Sequence, residues 1–302
     1  MRTADNVTQG SADNVTQGPA DNVTQGTELT RIETASIQSV PPLRELGEDL
    51  LRTTPVRRGA TLAMPFLCTA AYFVCAPRGY WPLAVLAVMA LSFFTYGSTS
   101  HDLVHRTLGL RRWANDLLLS ATELLCLRSG HAYQAAHLYH HAQFPAEDDV
   151  EGASARMSFW RALLEGPIYQ VRIWPWALRR AAPRERAFIL AEGACCLGLF
   201  VASVLLLPRT PVPFVYAALA VMGSWIFPVI TAHLQHYPQE RSPLFQTRTF
   251  RGIGARVVAL DHLYHLEHHL YPAVPHQHWP RLAERLDPYL AKAGVRPSRL
   301  WL

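Results

Sequence analysis

The chain has 302 residues, half of them apolar, and a net charge of +5 from 28 basic and 23 acidic side chains. That length allows one large domain or two small ones. The basic residues, all arginine except Lys292, form no stripe interleaved with aromatics, which argues against nucleic acid as a partner.

The N-terminal residues 1–50 are predicted to be a disordered tail. ADNVTQG occurs three times between residues 4 and 26, at a period of eight. Copies of so polar an octad bury too little apolar surface to offset chain entropy. Leu43 to Leu51 is a short amphipathic stretch suited to a bilayer interface. Residues 51–302 are read as one membrane domain.

Residues 60–76 and 80–98 are long apolar runs, each close to the roughly 20 residues that a bilayer-crossing helix needs. Arg57 and Arg58 precede the first, and Pro77, Arg78 and Gly79 break the chain between them. Tyr80 and Trp81 stand at the second run's entry, where aromatic anchors are expected. The region 106–186 is polar and holds 11 arginines. Within it, Leu117–Leu127 is apolar but too short to span and is interrupted by Glu123, so it reads as an interfacial or re-entrant helix. Phe144–Gly152 is an acidic loop. Residues 187–207 and 211–231 make a third and a fourth span, separated by a tight return, with Pro228 kinking the end of the last. Trp279–Leu290 reads as a surface helix. The five cysteines (Cys68, Cys75, Cys126, Cys195 and Cys196) form no CxxC pair and read as reduced packing residues.

These elements predict an all-α integral membrane protein: two hairpins of spans with a helical cap. The connections within the hairpins carry one positive residue each, Arg78 and Arg209. The middle region carries 11 and the stretch after the fourth span nine. The positive-inside rule then puts both ends and the cap on the cytoplasmic side.

Histidine is the residue that stands out. Ten of the 14 fall in four short windows: HDLVH (His101, His105), HLYHH (His137, His140, His141), HLQH (His233, His236) and HLEHH (His265, His268, His269). Helical positions three or four apart share a face, so each window aims its imidazoles together. Neutral imidazole suits iron, zinc, copper and nickel. So many imidazoles exceed what one ion needs, which points to more than one metal. Asp102, Asp148, Asp149, Asp261 and Glu267 lie near the windows and are candidates to orient the rings. His131, His262, His276 and His278 fit no window and read as structural or supporting. Because the windows lie at span ends and beyond, not at bilayer depth, a metal transporter is disfavoured.

The order HxxxH, HxxHH, a single histidine after the fourth span, and HxxHH resembles the membrane fatty acid desaturase and hydroxylase superfamily over roughly residues 60–290. HHAQFPAEDD, LQHYP and LYHLEHHLYPAVP are similar to that family's segments, and LQHYP favours His236 over His233 as the ninth ligand. The resemblance implies two non-haem iron ions held by His101, His105, His137, His140, His141, His236, His265, His268 and His269. It implies an O₂-dependent oxidation of a lipid or acyl substrate drawn from the bilayer, foremost desaturation of an acyl chain. A fatty acid hydroxylase or a carotenoid hydroxylase or ketolase would use the same scaffold. The cysteines lack iron–sulfur spacing, so a separate electron donor, a ferredoxin or a flavoprotein-linked carrier, is expected.

Overall fold

A computed structural model describes residues 40–257 and 260–301. The octad repeats, and the predicted tail up to residue 39, lie outside the described residues. Residues 40–50, assigned to that tail, are ordered. Leu43–Leu46 and Glu48–Leu51 form short helical turns, and Leu46 and Leu50 are buried in the same core as the C-terminal helix. Arg285 fastens them by pairing with Asp49 at 2.6 and 2.7 Å. This stretch therefore spends its apolar face on protein, not on the bilayer.

The molecule is almost entirely helical. Helix α1 (Pro55–Cys75) starts at Thr54, whose hydroxyl accepts from the Arg57 N–H, with Pro55 in the first turn, where its missing N–H costs nothing. Helix α2 (Trp81–Phe94) runs back beside it and continues through a π-helical turn, Thr95–Thr99, into α3 (Ser100–His105). Helix α7 (Pro183–Leu206) and α8 (Val212–Gly223) form the second hairpin, and a second π-helical turn, Pro228–His233, follows α8. Among the described residues, these four segments are long and apolar enough to cross a membrane. Their outward faces carry Leu83, Leu86, Leu197 and Leu205, all exposed, which a soluble protein would not leave bare. The predicted kink at Pro228 thus takes the form of a widened turn.

Helix α4 (Arg112–Leu124) contains the stretch read as interfacial, and it is built inside out. Trp113 and Leu117 face outward while Asn115, Asp116 and Glu123 are buried. Each of these three side chains has a partner. Asn115 donates to the Leu103 carbonyl at 2.8 Å, Asp116 pairs with Arg106 and Arg184, and Glu123 pairs with Arg128 at 2.8 Å and accepts from Ser100. The polar region 106–186 also hides a helix the hydropathy pattern passed over. Helix α6 (Phe159–Arg180) exposes Trp160, Leu164, Ile168 and Val171 at spacings of three and four between its arginines, the pattern of a helix lying in a membrane interface.

Helix α5 (Gly130–Gln143) packs between α4, α6 and α7. Its start is fixed by Glu192 of α7, which accepts from Ser129 at 2.6 Å, from the His131 ring at 2.7 Å and from Ser120 at 2.5 Å. An ionisable group placed within a span is affordable only when bonded in this way. Replacing Glu192 by alanine orphans those donors, and the expected cost is about 1–3 kcal/mol, read as a lowered thermal midpoint in detergent. The cap is completed by α9 (His265–Leu270) and α10 (Trp279–Lys292). Helix α10 is not merely superficial: Trp279, Leu282, Leu286 and Leu290 form the centre of the cap's core.

Candidate metal centre

The folding of α3, α5, the chain after the fourth span, and α9 brings nine imidazoles into two adjoining groups. One comprises His101, His105, His137, His141 and His268. The other comprises His140, His236, His265 and His269. Within each group one candidate ligand atom per residue lies within 4.8 Å of every other. Helix α5 feeds both. His137 and His141, one turn apart, point to the first group, while His140 is rotated toward the second. Helix α9 divides its imidazoles the same way: His268 goes to the first, and His265 and His269 to the second.

In the first group the Nε2 atoms form a closed ring: His101 to His268 at 3.0 Å, His268 to His141 at 2.7 Å, His141 to His137 at 3.2 Å, and His137 to His101 at 3.2 Å. The Nε2 of His105 is buried without a hydrogen-bond partner among the described residues. In the second group His236 Nε2 lies 2.9 Å from His140, 3.2 Å from His265 and 3.3 Å from His269. Separations near 3 Å are the edges expected between nitrogens that share a cation with bonds of about 2.0–2.1 Å.

The outer ring atoms fix the chemistry of the inner ones. His140 Nδ1 donates to Asp149 at 2.7 Å, and His236 Nδ1 to the Ala232 carbonyl at 3.1 Å. A carbonyl and a carboxylate only accept, so both rings, when neutral, turn Nε2 lone pairs toward each other. A cation between them removes that repulsion. His137 is set likewise, its Nδ1 donating to Glu151 at 2.9 Å. Burial, reinforced by neighbouring imidazoles, pushes His141, His265, His268 and His269 well below the usual histidine range. Burial and the nearby His140 do the same to His236. These rings are therefore neutral, the form that binds metal. His140 is the exception: burial pulls it down, but the Asp149 carboxylate outweighs this and raises it. The residues fit a pair of metal ions, with donor sets that are all imidazole.

The four aspartates proposed as supports fare differently. Asp149 orients His140. Asp102 instead accepts from His276, at 2.7 Å from Nδ1 and 3.0 Å from the backbone N–H, and so ties box one to the α10 entry. Asp148 bonds Tyr139 and Arg180, both at 2.7 Å, on the surface. Among the described residues, Asp261 has Arg256 as its ion-pair partner, at 3.9 Å. Glu267 faces away from the imidazoles and accepts from Thr249 and Arg251. Surface pairs contribute little, so Asp148→Ala should leave both activity and thermal midpoint nearly unchanged, within about 1 kcal/mol. His233 belongs to neither group. Its Nδ1 donates to the Ser154 carbonyl at 3.3 Å.

Sequence spacing missed two contributors. Glu151 lies in the same acidic loop, two residues beyond Asp149, but nothing in its own environment singles it out. Trp279, fully buried, sets its ring 4.8 Å from His268, tilted against it, and 5.1 Å from His101, edge-on, and covers the first group from the cap side. His262 is buried beside both groups, with ring centres 5.6 Å from His101 and 5.3 Å from His265, and burial lowers its pKa to about 4.

No curated protein matches this chain. A family description, fatty acid desaturase, does match it over residues 79–301, a stretch that contains every imidazole of both groups, and the chain belongs to the fatty acid desaturase family.

Proposed function

We propose that this membrane oxidoreductase is an O₂-dependent acyl-lipid desaturase that uses two iron ions, one per imidazole group. The observation that carries the reading is the pair of adjoining all-imidazole groups gathered at one end of the spans. Breaking an unactivated C–H bond is beyond side chains acting as acid, base or nucleophile, and two bound irons with O₂ supply that oxidising power.

The chain's own residues hold and shield the site. His140 and His137 are locked by Asp149 and Glu151. Trp279 and the π-helical turns exclude water, which protects a strong oxidant from side reactions. Phe93, Gly97, Ile230, Thr231 and His262 line a small recess beside the second group's approach. The arginine balance supports a cytoplasmic position for the boxes, and it suits an acidic electron donor, a ferredoxin or a flavoprotein-linked carrier, arriving from that side.

Expression in a host that makes both membrane lipids and β-carotene, followed by mass spectrometry, tests the reading. Acyl chains lighter by two hydrogens are expected. A carotenoid or an acyl chain that gains oxygen instead would overturn desaturation in favour of a hydroxylase or ketolase.

A further inference from the structure

Away from the imidazole groups, a cleft opens where the first span meets the cap. Its outer recess, about 170 Å³, is lined by Arg57, Arg256, Arg281, His278 and Glu284. It adjoins an inner cavity of about 360 Å³, which shares Arg57 and Gln277 and whose lining sets the apolar Ala60, Met64 and Phe94 beside polar groups that include Asp261 and His276. The cleft is thus cationic at its mouth and carries an apolar wall within.

The charge at the mouth is only weakly neutralised. Arg281 lies 3.8 Å from Asp49, but that carboxylate is already held by Arg285 at 2.6 Å. Arg256 is 3.9 Å from Asp261, and Glu284 is the recess's remaining acid. With Asp49 taken by Arg285, the three guanidiniums of Arg57, Arg256 and Arg281 face two carboxylates, Asp261 and Glu284. Two buried polar atoms at the junction also lack partners among the described residues: His278 Nε2, on a side chain only 5% exposed, and Gln277 Oε1.

Position selects the ligand. Arg57 lies in the first turn of α1, at the end of the span that returns, through α2, to the histidine side. That places the arginines at the membrane surface on the box-bearing face, with Met64 and Phe94 at greater depth between the first two spans. A soluble anion would leave the apolar half empty, and a neutral apolar molecule would leave the arginines unanswered.

We propose that this cleft binds an anionic phospholipid, its phosphate on Arg57, Arg256 and Arg281 and one acyl chain lying along Ala60, Met64 and Phe94. The assignment does not depend on the oxidation chemistry.

Native mass spectrometry of the detergent-purified protein tests it, with phosphatidylglycerol, phosphatidylcholine and inorganic phosphate as separate probes. Phosphatidylglycerol should be retained several-fold more than phosphatidylcholine. A variant carrying Arg57→Glu and Arg281→Glu should hold it roughly tenfold or more less well, since each basic residue at a membrane surface contributes measurably. Arg57→Glu puts a glutamate three residues after the Thr54 cap, the spacing of a capping box, so the helix start is not weakened. A second variant, Arg57→Lys with Arg281→Lys, should retain most of the binding. Equal retention of the two lipids, equal retention by wild type and the double-glutamate variant, or inorganic phosphate competing as well as the lipid would each overturn the proposal.

Discussion

His268→Ala should abolish oxidation of the substrate and deplete the five-imidazole group of metal, while the four-imidazole group keeps its own. The expectation rests on where this ring stands. It is fully buried, and its Nε2 touches two other candidate ligands, at 2.7 Å from His141 and 3.0 Å from His101. The Trp279 ring, 4.8 Å away, covers the face that it leaves. The second group shares no ligand with the first, so metal analysis of the purified variant should find about half the wild-type iron. Membrane insertion should be intact, since the spans that drive it contribute nothing to α9. An unchanged iron content, or activity surviving with half the iron, would mean that the two groups do not act as one centre.

Much of this arrangement is legible in the sequence because two strong physical periodicities write it there. Apolar runs of about 20 residues report spans, since the bilayer leaves a backbone no other partner than itself. Histidines spaced three and four apart report a shared helical face. What is not legible is contact between distant segments. Nothing in HLYHH says that His140 parts from His137 and His141 to join His236. Asp102 and Asp261 stand as near their boxes in sequence as Asp149 does. Only the fold shows that Asp102 meets His276 and that Asp261 meets no imidazole. Helix α6 is obscured for a related reason. Hydropathy averages over both faces, so a helix with arginines on one flank and Trp160, Leu164 and Val171 on another looks merely polar. The N-terminal boundary was set too far along because Leu46 and Leu50 find their partners on α10, more than 200 residues away in sequence.

Glu151→Gln should weaken iron binding at the first group by roughly 10–100-fold, the usual cost of losing an outer partner of a metal-bound imidazole, with activity falling in step. Burial opposes ionisation of this carboxyl, yet the His137 imidazole and the Tyr96 hydroxyl together hold its pKa below the ordinary value. It therefore stays charged through the neutral range. That charge favours the His137 tautomer with hydrogen on Nδ1 and the lone pair on Nε2, facing the metal. Glutamine keeps the volume but loses the charge, and its amide nitrogen can offer Nδ1 a hydrogen, favouring the opposite tautomer. Tyr96, 3.3 Å from the same oxygen, feels the change as well. Asp149→Asn should act in the same way through His140, but on the second group. Loading the apo-variants with iron in increments separates the two. Each should lose affinity in one class of site and keep it in the other, because the carboxylates, two residues apart on one loop, serve different ions. If both substitutions weakened the same site, the division of α5 between the two groups would be wrong, and with it the assignment of one iron to each.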